Sequence, residues 1–186
     1  VGHLNIGAGE VVYTGLSLIG KEILDGKFKS NKYFKEVFED VKKNNSTLHL
    51  MGLLSPGGVH SLEEHLFLLI DAAYENGVKN VSVHVFGDGR DVAPKSIIPS
   101  LKKLEDQLKK YNYNLASISG RFYSMDRDNN WDRIRKSYDV IVNGLGKVNP
   151  NIIEYVENSY KEGITDEFIK PMLIDKEGII SNNDGL

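Results

Sequence analysis

The sequence predicts an α/β domain centred on a parallel sheet, three layers deep, with a hairpin near its C-terminal end. Two observations carry this expectation. Between residues 47 and 143 a short apolar run, a polar loop and an amphipathic stretch follow one another three times. Strand–loop–helix repeats of this kind build right-handed crossovers and a parallel sheet covered on both faces. The composition can fill such a core: the 186 residues are 40% hydrophobic and 26% charged, an ordinary globular balance.

Ahead of the repeats, Glu10–Leu24 and Asn31–Lys43 read as amphipathic helices separated by a Gly/Lys/Ser stretch. The first strand is Thr47–Leu54, followed by the loop Ser55-Pro56-Gly57-Gly58-Val59-His60. A helix then runs from Ser61 to about Asn76 with Leu62, Leu66, Leu69, Ile70 and Ala73 on one stripe. Ser61 with Glu64 forms a capping box, and Gly77 supplies the stop. The second strand is Asn80–Phe86, with the loop Gly87–Pro94 and a helix from about Lys95 to Lys110 carrying Ile97, Ile98, Leu101, Leu104 and Leu108. The third is Leu115–Ser119, with the loop Gly120–Asp128 and a helix from about Asn130 to Asn143. Beyond Pro150 come a helix, Asn151–Lys161, the stretch Thr165–Phe168, and a hairpin of Met172–Asp175 and Gly178–Ser181 turning at Lys176-Glu177. Val1 is not an initiator methionine and Ser181–Leu186 adds no closing element, the pattern expected of a domain cut from a longer chain.

Several function classes are disfavoured at once. A net charge of −3 with no block of like charges argues against a nucleic-acid binder or a polybasic membrane-surface protein. With no cysteine there is no disulfide framework, thiolate metal site or Cys nucleophile. No apolar run approaches the roughly 20 residues of a membrane helix, and no signal peptide leads the chain. A soluble cytoplasmic protein is the expectation. No P-loop, G-x-S-x-G or H-E-x-x-H occurs, and Gly2–Glu10 is not a dinucleotide fingerprint because no strand precedes it.

The arginines point toward function. Lysine is spread along the chain, but the five arginines, Arg90, Arg121, Arg127, Arg133 and Arg135, fall within one quarter of it. A planar fork confined to one region suits carboxylate or phosphate. The three polar loops all follow strands, and in parallel sheets ligands sit beyond the strands' carboxyl ends. They therefore form one candidate site. In Gly87–Pro94, Arg90 offers a fork to an anion and Asp91 a general acid or base; bracing of the loop is the alternative. In Gly120–Asp128, Arg121 and Arg127 bind an anion or form a salt-bridge cluster with Asp126 and Asp128; Arg127 between those aspartates argues against a D-x-D metal site. His60 ends a Pro-Gly-Gly turn, placed to donate to an oxyanion or carry a proton. His60 and His65 are five apart rather than four, which disfavours a helical metal pair. His49 and His84 lie within strands and read as core histidines, whereas Arg133 and Arg135 lie in the following helix and read as surface or structural groups. A free-standing anion-binding module and a nucleotide enzyme remain alternatives at this level.

Gly2-His3-Leu4-Asn5-Ile6-Gly7-Ala8-Gly9 with Val11-Val12-Tyr13, Ser55-Pro56-Gly57-Gly58-Val59-His60-Ser61 and Asp88-Gly89-Arg90-Asp91 resemble the cofactor-independent phosphoglycerate mutases. So do Ser117–Tyr123, Met125–Asp128, Trp131-Asp132-Arg133 and Thr165–Phe168, in order along essentially the whole chain. The resemblance implies an enzyme that interconverts 3- and 2-phosphoglycerate in glycolysis through a phosphoserine, with no requirement for 2,3-bisphosphoglycerate. It implies a phosphatase-like domain holding two Mn²⁺ and the serine, with a phosphotransferase domain inserted into it. Residues 1–14 would be a remnant of the former and residues 15–186 the latter. The family's Asn-Ser-Glu nucleophile would fall before Val1 and its Arg-Pro-Asp-Arg segment after Leu186, with the metal ligands also outside this chain. Position by position, His60, Arg90, Asp91, Arg121 and Arg127 match the family's substrate-binding residues, with Asp91 handling the proton of the receiving hydroxyl. The partners implied are phosphoglycerate and the phosphatase-like domain of the same chain, in a monomer. Gly87 departs from the family pattern, which more often has an apolar residue there.

Overall fold

Three parallel strands set the frame: β1 (Leu48–Leu54), β2 (Val81–Gly87) and β3 (Asn114–Gly120). In this computed structural model, which describes residues 2–13 and 15–186, they pair in chain order, with a two-residue antiparallel strand, β4 (Met172–Leu173), added beside β3. Six of the seven β2 residues are buried, as expected of an interior parallel strand. The register aligns Leu54 with Gly87 and Gly87 with Gly120, so the three strands end level. The loops that follow therefore start side by side, about 4.8 Å apart from strand to strand.

The helices are α1 (Gly2–Ala8), α2 (Gly15–Leu24), α3 (Lys32–Asn44), α4 (Glu63–Glu75), α5 (Ile97–Tyr111), α6 (Arg121–Ser124), α7 (Trp131–Ile141) and α8 (Ile152–Lys161). They cover both sides of the sheet. Helix α5 buries Ile97, Leu101, Leu104 and Leu108, a stripe at helical spacing, and packs on α4 and α8. It ends where Asn112 adopts a left-handed conformation (φ +57°) and its amide reaches back to Leu108. Helices α6 and α7 pack together against β3.

Three expectations are corrected. The helix expected over Glu10–Leu24 begins only at Gly15, as α2, and a separate helix precedes it: α1 closes at Gly9 (φ +68°), whose amide bonds to the Asn5 carbonyl. Residues 10–13 between them include the β-branched pair Val11-Val12 and are not helical. Thr14, on which part of that expectation falls, and Val1 lie outside the described residues. The Ser61/Glu64 capping box does not form. The Ser61 hydroxyl donates to the Leu53 carbonyl and the Glu63 amide to the Ser55 carbonyl (2.9 Å), pinning the first loop back on the end of β1. Leu62 is the residue at the cap position, without a side-chain cap bond.

The hairpin of 172–181 is absent as well. The amides of Ile174 and Asp175 both turn to the Ala116 carbonyl on β3 (2.8 and 3.2 Å), and Asp175 accepts from the Glu177 amide (2.9 Å) to form a tight 3₁₀ turn. Gly178 sits where a Cβ would lie 2.3 Å from that of Ala116, and Ile180 bonds to Ile141. The segment thus leaves β4 and runs past Ala116 and Ser82 to the outer edge of β1. There Gly185 bonds to Thr47 and His49 (2.9 and 2.8 Å). Tertiary carbonyls compete successfully for the amides that a hairpin would have paired.

Candidate functional site

A cleft of about 330 Å³ opens over the level ends of the three strands. His60 from the first loop, Arg90 and Asp91 from the second, and Arg121 and Arg127 from the third all line it. The five residues singled out from sequence are thus brought together. Arg121 is the first residue of α6, directly after Gly120 ends β3, and its side chain is only 11% exposed. Its Nη1 donates to both Asp88 (2.8 Å) and Asp91 (2.6 Å). The His60 ring lies 3.6 Å from the same Asp91 oxygen. Arg90 is open to solvent, with Glu167 3.8 Å away, and Arg127 lies exposed on the rim.

Behind the cleft, Asp88 is buried and central. Burial pushes its carboxyl up, but hydrogen bonds from Ser55, the Asp91 amide, Arg121 and the Arg90 amide together hold it below the usual carboxylate range. For Arg121, desolvation favours losing the proton. The hydrogen bonds and charges of Asp91 and Asp88 outweigh that and raise its pKa further. Both groups stay ionised. Because Arg121, Arg133 and Arg90 face the carboxylates of Asp91, Asp126 and Glu167, the cleft is a lattice of paired charges with unused donors rather than a bare cationic hole.

Two residues of the cleft were not anticipated. Arg133, expected to be a surface or structural group, lines the cleft: its guanidinium stacks 4.0 Å over the Phe122 ring and pairs with Asp126 at 3.1 Å. The short helix α6 and the turn after it swing the start of α7 inward, which helical periodicity alone does not reveal. Arg135, one turn on, is exposed and paired with Asp139. Glu167 enters from the far end of the chain. Its segment crosses the strand ends so closely that a Cβ on Gly87 would meet the Asp166 carbonyl at 2.6 Å. On Gly120 it would meet that of Glu167 at 2.2 Å. The loop glycines do permit close backbone approach, but the backbone that approaches is the chain's own. Asp166 locks the crossing by accepting from the amides of Ser96 (2.7 Å) and Ile97 (3.0 Å) at the start of α5.

The D-x-D aspartates do not form a metal pair. Asp126 accepts from the Asn130 side chain and amide (2.8 Å each) and from Arg133, closing its own loop. Among the described residues no group of three or more His, Asp or Glu side chains is arranged to hold a metal ion. His49 and His84 are buried in the sheet, away from the cleft lining.

Fold and site together define an α/β domain whose strand-end loops gather arginine, histidine and aspartate around one cleft. Residues 19–186 match the family model described as the BPG-independent PGAM N-terminus. The chain belongs to the 2,3-bisphosphoglycerate-independent phosphoglycerate mutase family. It is 57% identical over 189 aligned positions to the enzyme of that name from Mycoplasmopsis synoviae, spanning all of this chain and 38% of the relative. It is 58% identical to that from Mycoplasmopsis pulmonis, spanning 37% of that relative. A crystal structure of Leishmania mexicana phosphoglycerate mutase at low cobalt concentration superposes with a TM-score of 0.87 at 30% identity, covering 95% of this chain and 35% of that one. The chain thus spans less than two-fifths of the length of the relatives it matches.

Proposed function

We propose that this chain is the substrate-holding, phosphotransferase part of a phosphoglycerate mutase that interconverts 3- and 2-phosphoglycerate. Residues 15–186 form that domain, and residues 1–14 belong to the phosphatase-like part of the whole protein. The observation that carries the reading is the convergence of His60, Arg90, Asp91, Arg121 and Arg127 on one cleft at the strand ends. Its volume suits a three-carbon phosphate ester, and its donors suit a ligand with a phosphate at one end and a carboxylate at the other. His60, Arg90, Arg121 and Arg127 hold those two groups, and Asp91 takes or returns the proton of the receiving hydroxyl. Donors already aligned in a partly buried site favour the extra negative charge of the transferring phosphoryl group.

The nucleophilic serine and two Mn²⁺ belong, in this reading, to the remainder of the whole protein, a cytoplasmic monomer. Among the described residues the side chains do not fit a dinuclear metal centre, and no step here runs through one. The test has two arms. The whole protein converts 3-phosphoglycerate to 2-phosphoglycerate without added 2,3-bisphosphoglycerate, and the 186-residue chain alone does not. Conversion by the pure chain, with contaminating mutase excluded, refutes the division of labour; failure of the whole protein refutes the activity.

A further inference from the structure

Asp88 has no role in the reading above, and the inference drawn from it rests on that reading. It follows Gly87 at the end of β2, and its side chain is 2% exposed. Its Oδ1 accepts from Arg121 Nη1 (2.8 Å), the Asp91 amide (3.0 Å) and the Arg90 amide (3.3 Å). Its Oδ2 accepts from the Ser55 hydroxyl (2.6 Å), whose oxygen in turn accepts from the Gly57 amide (3.1 Å). One carboxylate therefore ties together all three strand-end loops.

The same carboxylate governs how Arg121 is used. A guanidinium offers two edges to a planar anion, Nη1 with Nη2 and Nε with Nη2. Both internal bonds, to Asp88 and to Asp91, are made through Nη1. That arrangement uses up the first edge and leaves the Nε/Nη2 edge for a ligand. We propose that Asp88 is the positioning residue of this site. It holds Arg121 by one nitrogen, so that the Nε/Nη2 fork is presented to the substrate's oxyanion, and it keeps Asp91 from capturing the whole guanidinium. Through the amides of Arg90 and Asp91 it also sets the shape of the loop that carries the proton-handling carboxylate. A neutral amide in its place cannot do this. An amide there carries no charge and its NH₂ cannot accept from the Ser55 hydroxyl, so Arg121 would turn a full fork onto Asp91, the counter-charge left.

Asp88→Asn in the whole protein tests the proposal. The expected result is a 30-fold or larger fall in kcat/KM for 3-phosphoglycerate with a thermal midpoint close to the parent's. The effect should be non-additive with Arg121→Lys, the double variant losing little more than the worse single one. A kcat/KM within threefold of the parent, or additive losses, overturns it. If Asp88→Asn does not fold, Ser55→Ala carries the test: a three- to tenfold loss, again non-additive with Arg121→Lys, is expected, and additivity refutes the proposal. A substrate-free readout separates this inference from the functional reading. The Arg121 Nε–H resonance of the parent chain should move in the variant as the side chain turns. An unmoved resonance overturns the positioning role whatever the substrate is, whereas absent turnover by the parent overturns only the function.

Discussion

At the carboxyl ends of β2 and β3, Asp88, Arg121 and Asp91 hold opposite charges in contact; near the start of β1 and midway along β2, a second polar cluster is buried with its histidines neutral. There Asp184 accepts from His49 Nε2 (3.1 Å), His49 Nδ1 from His84 Nε2 (3.0 Å), and His84 Nδ1 from the Ser117 hydroxyl (2.8 Å). That order of donors and acceptors satisfies every ring nitrogen with both imidazoles uncharged. Burial pushes the His84 pKa down to about 3, helped by the neighbouring His49. Burial also lowers that of His49, against the opposing pull of Asp184. Asp184 in addition accepts from the amides of Thr47 and Ser181, so the cluster fastens the chain's last described residues to β1. The difference between the clusters lies in what remains unused. The histidine chain has no donor left to offer, which marks a structural clamp. The arginine cluster keeps the Nε/Nη2 edge of Arg121 and the exposed Arg90 beside an open cleft, which marks a site.

Acid should break the histidine cluster before the arginine cluster. A histidine held below its unfolded pKa of about 6.5 contributes stability that is complete above that value and is lost as pH falls toward the folded pKa. For His84 the window runs from 6.5 down to about 3, with a slope of up to roughly 1.4 kcal/mol per pH unit for each histidine. Urea unfolding from pH 7 to pH 4 measures it. If a His84→Gln chain loses stability just as steeply, the clamp is not the cause. Gly120→Ala attacks the other region, since the new Cβ would overlap the backbone of Glu167 and Ile169. A loss of about 3 kcal/mol is expected, with displaced Glu167 resonances; a neutral substitution would show that the crossing segment yields.

Arg121→Lys keeps the charge and removes the fork. Phosphoglycerate affinity of the whole protein should drop by about 1–3 kcal/mol, about fivefold to 150-fold, with little change in melting temperature. A fall in stability without a fall in affinity would turn the charged cluster into a second clamp. Arg135→Lys, on the exposed side of α7, should alter neither quantity measurably. If it weakens binding as much as Arg121→Lys, the boundary drawn around the cleft is wrong.

The sequence by itself determined the strands, the helices that follow them and the residues at the strand ends. Buried parallel strands and amphipathic helices are written in local periodicity, and strand-end loops in a parallel sheet share one side. That sufficed to gather His60, Arg90, Asp91, Arg121 and Arg127. Only the tertiary structure decided where the backbone of residues 166–169 and 174–185 would go. Their amides bond to carbonyls more than thirty residues away in sequence, at Pro94, Ala116, Ile141 and Thr47. No local pattern encodes such partners, so the hairpin expected from local alternation was lost to them. The same long-range placement brings Glu167 and Arg133 to the cleft. It also decides that Asp88, one of several loop aspartates in the sequence, is buried where three loops meet, because burial depends on what the rest of the chain lays over a residue.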